Sequence, residues 1–276
     1  MRDILARNTV LSVVVASLAF LSAPVSGADI SAYASFDISS AYVLYCARQN
    51  KEPCFWTYGA LDFCGDRLGT LELSLWQNTD MTCRRKETMG RMNEWDWRAA
   101  YLNTLEIADG WRINAEIGHI WYKYHGLRGK EASKAYATMM EVYGRLSCEN
   151  PYLTPYVFAA YDHRVTEGTF ALLGVKRSFE MSPRWSFTPE LSIGGGDGRY
   201  LACLYPPWGG EDVGTSISCS QLSGRLDFKI TKSISFYAAM AFSVIVDDEI
   251  RQAISRDGSD YANQFVWGNI GVSICY

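Results

Sequence analysis

Beyond residue 28 the chain lacks any apolar run near the ~20 residues that a membrane-spanning helix needs, and no convincing helical periodicity appears there. It also lacks the local signatures of common chemistries. There is no Gly-x-Ser-x-Gly for a hydrolase nucleophile and no Cys-x-x-Cys, so a zinc site is not expected. Histidines number only three, His119, His125 and His163, and no cofactor or metal is expected from them. Charge is nearly balanced at a formal -4, with no basic face for nucleic acid and no acidic tail. The glycine-rich Gly194-Gly195-Gly196-Asp197-Gly198 follows a strand pattern but precedes no helix pattern, so it reads as a loop root rather than a phosphate cradle.

What is present is alternation. Aromatics reach 14%, and Tyr and Trp favour surfaces where protein meets a bilayer interface. Residues 1–28 read as a cleaved signal peptide: Arg2 and Arg7, an apolar stretch from Thr9 to Leu21, and small residues Ser26-Gly27-Ala28. Residues 29–276 then form one domain. Its last segment, Tyr261 to Tyr276, places Val266, Ile270, Val272, Ile274 and Tyr276 on one face and Trp267, Asn269, Gly271, Ser273 and Cys275 on the other. That period of two is a strand with one oily and one polar side. Ending on an aromatic, it is similar to the closing strands of outer-membrane barrels.

Eleven further strands are expected: Phe36–Cys46, Cys54–Phe63, Leu68–Asn78, Asn93–Leu102, Trp111–Tyr124, Tyr136–Ser147, Thr154–Asp162, Thr169–Phe179, Trp185–Ile193, Leu222–Ile230 and Ser233–Val246. In the seventh and eighth both parities carry apolar residues, which leaves their facing open. Segments of this length suit strands that cross a bilayer at a tilt. The connections alternate between longer and shorter, as outer-membrane barrels with short periplasmic turns require. Large apolar residues fill one face on strand after strand. The opposite face carries Glu72, Glu94, Asp96, Arg98, Arg112, Glu116, Glu141, Arg145, Glu190, Arg225, Asp227 and Lys229.

In lipid every backbone polar group must be satisfied internally, so such strands have to close on themselves. The expectation is therefore an all-β, transmembrane, antiparallel up-and-down barrel of about twelve strands in the outer membrane. Lipid and lipopolysaccharide would surround it, and the barrel-assembly machinery would engage the strand ending at Tyr276. The charged lumen would pass small polar solutes passively, or serve only as an internal ion-pair network in a closed structural or surface-binding barrel. Basic outer-loop residues Arg84, Arg85, Lys86, Arg128, Lys130 and Lys134 either contact anionic headgroups or are simply solvated.

Short motifs sharpen the comparison. Ser40-Ala41-Tyr42-Val43-Leu44, Leu75-Trp76-Gln77-Asn78-Thr79-Asp80, Asn93-Glu94-Trp95-Asp96, Gly118-His119-Ile120-Trp121-Tyr122-Lys123-Tyr124-His125 and Thr154-Pro155-Tyr156 resemble segments of the TorF-type family of outer-membrane porins. Tyr45-Cys46 stands where that family carries Arg-Gly. The resemblance implies a barrel of about twelve strands with a transport role.

Eight cysteines are many for such a chain, and an oxidising compartment permits disulfides. Cys203 and Cys219 flank the longest outer loop, and Cys46 and Cys54 flank the first; either pair is a candidate bridge, and Cys83 leaves an exchange of partners open. Enzymatic chemistry is not expected. A barrel-embedded lipase or acyltransferase would need a Ser–His pairing, for which His163 in Tyr161-Asp162-His163-Arg164 is the best-placed histidine.

Overall fold

The computed structural model describes residues 29–65, 69–81, 92–124, 138–205, 214–257 and 262–276. The expected signal peptide, Cys83 and the six basic loop residues lie outside the described residues.

The period-two runs form β1 (Asp29–Ser39), β2 (Tyr42–Leu44), β3 (Ala47–Asn50), β4 (Cys54–Gly65), β5 (Gly69–Asp80), β6 (Met92–Ala108), β7 (Trp111–Tyr124), β8 (Met139–Glu149), β9 (Thr154–Asp162), β10 (Gly168–Lys176), β11 (Phe179–Glu180), β12 (Trp185–Gly196), β13 (Ser216–Lys229), β14 (Ile234–Ile245) and β15 (Gln264–Cys275). Among the described residues two helices lie in the longer connections, α1 (Gly198–Leu204) and α2 (Asp248–Asp257).

Sequential antiparallel pairing runs from β10 back through β4 to β1, across to β15, and on through β14 and β13 to β12. β10 also pairs with β12, with Leu173 opposite Ile193, and this closes the sheet. The result is a twelve-stranded up-and-down antiparallel barrel. The two-residue β11 continues the line of β10 beyond a break and pairs with the start of β12. The seam joins the first and last strands, with Phe36 opposite Val272, and Tyr276 exchanges backbone hydrogen bonds with Ala32.

Alternation sets the two surfaces. Leu73, Ile117, Leu173, Leu222, Met240 and Val266 are exposed on the outer wall, which in water would be an extended apolar surface far beyond what a soluble monomer shows. The inner wall carries the buried polar set, including Asp37, Glu72, Glu94, Glu141, Asp162 and Ser243. An oily exterior, a polar interior and a sheet without edges are the requirements of a bilayer-spanning barrel. The chain is an outer-membrane-type barrel.

Three expectations change. The first wall strand is β1, which starts at Asp29 and ends at Ser39, rather than Phe36–Cys46. Residues Tyr42–Asn50 leave the wall as a separate two-stranded hairpin, β2–β3. Helices do occur: Asp197 caps α1 by accepting from the Tyr200 amide at 3.0 Å, and Asp247 does the same for α2 through the Ile250 amide at 2.9 Å. A seven-residue and a ten-residue helix are too short to leave a convincing period. In α2, Ile250 and Ile254, one turn apart, supply the only apolar stripe among its described residues, and both are buried.

Candidate functional site: a lumen crossed by an inward hairpin

The inner wall is built from carboxylates held by tyrosines on adjacent strands. Tyr58 donates to Glu72 at 2.9 Å and Tyr143 to Glu116 at 2.5 Å. Tyr156 donates to Glu190, and Tyr237 donates to Asp37, which also accepts from Asn269 at 3.0 Å. A tyrosine can do this only where its ring lies flat over a small neighbour. A Cβ on Gly118 would come within 2.6 Å of the Tyr143 ring, and one on Gly271 within 2.7 Å of the Tyr237 ring. Gly174 gives the Tyr156 ring the same room.

Cations complete the lattice. Arg98 bridges Glu72 at 2.8 Å and Glu116 at 3.1 Å, and its guanidinium lies over the Tyr143 ring. Arg225 holds Asp227 at 2.8 Å and covers Tyr237, 3.8 Å from the ring centroid. Arg145 covers Tyr156 at 4.8 Å. Glu94 is fully buried, two residues before Asp96 on the same inward parity of β6.

Ten of the twelve expected lumen residues share this inner wall. Arg112 and Lys229 keep the inward parity but lie at strand ends, where their side chains are exposed. Arg112 pairs at 3.2 Å with Glu106, itself exposed, on the protruding end of β6.

The hairpin β2–β3 is the feature the sequence reading missed. It crosses the lumen from its attachment at β1 and β4 to the opposite wall. Tyr42 packs on Trp76 of β5. Tyr45, at the tip, stacks on Phe170 of β10 at 4.8 Å and packs against Phe158 of β9 and Tyr200 of α1. On the returning strand Arg48 lies over Phe265 of β15, and Gln49 donates to the Leu204 carbonyl at the end of α1. The tip residues Tyr45 and Cys46 both have positive φ, 46° and 64°. A two-residue hairpin loop needs that geometry, but non-glycine residues adopt it only at a cost of about 1–2 kcal/mol each. The contacts of the tip must offset it.

Glu141 fixes the tip. Its carboxylate accepts from Tyr45 at 2.9 Å, from Tyr122 at 2.8 Å and from Tyr200. Hairpin, wall and α1 thus meet on one buried acid. Around it an apolar cluster of Cys46, Ala47, Phe170, Leu201, Leu204 and Ile245, joined by Ile250 and Ile254 of α2, occupies the longer-loop half of the lumen. This explains why β9 and β10 read as apolar on both parities: Phe158 and Phe170 point inward at the hairpin, while Val157 and Leu173 point outward at lipid.

On the short-turn side of the hairpin a cavity of about 440 Å³ remains. Its walls are aromatic, with Trp56, Trp76, Tyr143 and Trp267, and charged, with Asp96, Arg98, Glu116 and Arg145.

The structure places the cysteines differently from the sequence expectation: it draws no bond between Cys203 and Cys219 or between Cys46 and Cys54. The hairpin carries Cys46 away from Cys54 and inward to Cys219, whose sulfur lies 3.6 Å from the Tyr45 carbonyl. Cys203 sits on α1, where burial and then the carboxylates of Asp162 and Glu141 push its thiol pKa up to about 12.

His163 meets His119 on the outer wall, Nε2 to Nε2 at 2.9 Å, with Trp121 against the His119 ring. The buried Nδ1 of His119 has no partner among the described residues, so no carboxylate or amide orients the ring as a nucleophile's base requires.

No family model and no curated protein matches the chain. Among solved structures it is similar to the NanC porin at 13% identity and a TM-score of 0.47, covering 89% of this chain and 99% of that one. It is similar to outer membrane phospholipase A from Escherichia coli at 13% identity and a TM-score of 0.47, covering 88% and 92%. It is also similar to an outer membrane channel from Pseudomonas putida F1 at 9% identity and a TM-score of 0.49, covering 92% and 97%. The barrel assignment stands on the strand pairings and wall chemistry described above.

Proposed function

We propose that this protein is a porin-like outer-membrane channel for small polar solutes, narrowed by its own inward hairpin. The observation that carries the reading is the cavity beneath the hairpin, where Arg98, Arg145, Asp96 and Glu116 present both signs of charge to the space a solute would cross. Rings of charged side chains set pore selectivity in this way. Glu72, Glu190, Arg225 and Asp227 line the same passage, with Arg112 and Lys229 at its short-turn mouth, while Glu94 and Glu141, fully buried in the inner wall, support it from behind.

A second reading, a closed barrel with a structural or surface-binding role, is favoured by the apolar cluster around Tyr45 and Tyr200. Planar-bilayer recording separates the two. The intact protein should give small, discrete conductance steps, and replacing residues 41–52 with a short Gly/Ser linker should enlarge them several-fold. A folded variant without the hairpin that still never conducts would remove the channel reading. A barrel-embedded lipid enzyme is the weaker reading: among the described residues its best-placed histidine, His163, has its Nε2 engaged by His119 Nε2 at 2.9 Å.

The remaining assignments belong to this proposal. Residues 1–28 direct export and are removed, kinship lies with TorF-type porins, and β15 with Tyr276 is read by the assembly machinery. Lipid and lipopolysaccharide contact the outer wall.

A further inference from the structure

We propose that Cys46 and Cys219 form a disulfide that fastens the inward hairpin to the barrel wall. The pairing is a product of the fold, since 172 residues lie between the two positions in sequence and the inward hairpin unites them. Cys46 is at the hairpin tip and Cys219 is buried on the inner face of β13, three strands round the wall from the hairpin's attachment at β1. Both thiols are buried in the same apolar cluster. The Cys219 sulfur is 3.6 Å from the carbonyl of the residue preceding Cys46, and each thiol is the other's dominant polar neighbour. Cys54, at the start of β4, is not part of that cluster.

The chemistry balances by thiol–disulfide exchange with a disulfide-bearing oxidoreductase of the oxidising compartment. One cysteine thiolate attacks that disulfide, forming a mixed disulfide and releasing one oxidoreductase thiol. The second thiolate then attacks the mixed disulfide at the protein's sulfur. The Cys46–Cys219 bond forms, and the oxidoreductase leaves as a dithiol that carries away the two electrons and the two protons given up by the protein thiols. Because both sulfurs are buried once the tip has docked, the exchange belongs to assembly, before the tip is sealed.

Peptide mapping of the whole protein, exported and extracted in detergent without reductant, tests the bond whether or not the barrel conducts. Digestion with trypsin and a glutamate-specific protease separates Cys203 from Cys219 at Glu211 and Cys46 from Cys54 at Arg48. The expected result is a Cys46 peptide joined to a Cys219 peptide, which dissociates on reduction. Free alkylation of either cysteine, or a link from either to a different cysteine, overturns the proposal. Hydrogen exchange across residues 42–50 tests the fastening: after reduction these amides should exchange roughly tenfold faster or more. Equal rates before and after reduction would overturn it.

Discussion

Replacing Tyr45 by Phe isolates one bond that holds the hairpin in the lumen. The ring keeps its stack on Phe170 at 4.8 Å, and the positive φ of the tip is unchanged. What is lost is the hydroxyl that donates to Glu141 at 2.9 Å. Glu141 is not orphaned, because Tyr122 and Tyr200 still donate to it. The cost is therefore that of one charge-assisted hydrogen bond, about 1.5–3 kcal/mol. At 1.4 kcal/mol per factor of ten, the undocked hairpin becomes roughly 10–150 times more populated. Trypsin, applied under reducing conditions that open the proposed Cys46–Cys219 bond, reports that population. Arg48 lies within β3 against Phe265, so cleavage after it requires the hairpin to leave the lumen, and the rate follows the open population while reclosure outpaces cutting. Tyr237→Phe is the control: it breaks a similar clasp on Asp37 at the β1–β15 seam, away from the tip, and should leave cleavage at Arg48 unchanged. Gel mobility before and after heating shows whether each barrel remains folded. An unchanged rate in Tyr45→Phe, or an equal rise in Tyr237→Phe, would refute the account of Glu141 as the hairpin's anchor.

Other expectations follow from the wall. Gly118→Ala places a methyl within 2.6 Å of the Tyr143 ring, so it should lower the urea midpoint in detergent by the equivalent of about 1–3 kcal/mol of overpacking. Leu222→Arg puts a charge on the lipid face, where Leu222 is exposed; it should cost about 2–4 kcal/mol if the site lies near the bilayer midplane, measured by unfolding from vesicles. Cys203, with its thiol pushed up to about 12, should react slowly with maleimide at pH 8. Its rate should climb about tenfold per pH unit from 8 to 10, because only the thiolate attacks; a plateau in that range would contradict the described burial.

The wall was largely legible and its contents were not. β7 and β9 match their expected bounds to the residue, because strict alternation between lipid and lumen leaves a period that needs no tertiary information. The ionic contacts of Arg98 and Arg225 were half legible: parity put the right residues on one face, but partners depend on register across strands. The tyrosine clasps escaped because tyrosine counts as apolar in a periodicity argument, while here its hydroxyl is the working end. The hairpin escaped for a related reason. Tyr42-Val43-Leu44 continues the apolar run that begins in β1, so the pattern reads straight through Ser40 and Ala41, where the chain turns inward. The turn itself carries no glycine or asparagine at Tyr45-Cys46, so the usual marker of a two-residue loop is missing.

Two demands on the lumen meet at that turn. Twelve strands enclose more space than a single layer of inward side chains fills, and a lumen open along its whole length would have no reason to place Phe158 and Phe170 on the inner wall. Those rings are explained by an apolar occupant, which the strained Tyr45–Cys46 tip supplies. The tip in turn is tolerated only because Phe170 and Glu141 receive it. Below it, Arg98, Glu116 and Arg145 bring charge of both signs into a cavity otherwise walled by aromatic rings. The passage is thus divided along its axis into a narrowed oily half and a half that carries the charges. Charge substitutions at Arg98 or Arg145 should therefore shift the ion preference of the intact channel, read as the reversal potential in a salt gradient; an unchanged reversal potential would place these charges off the conducting path.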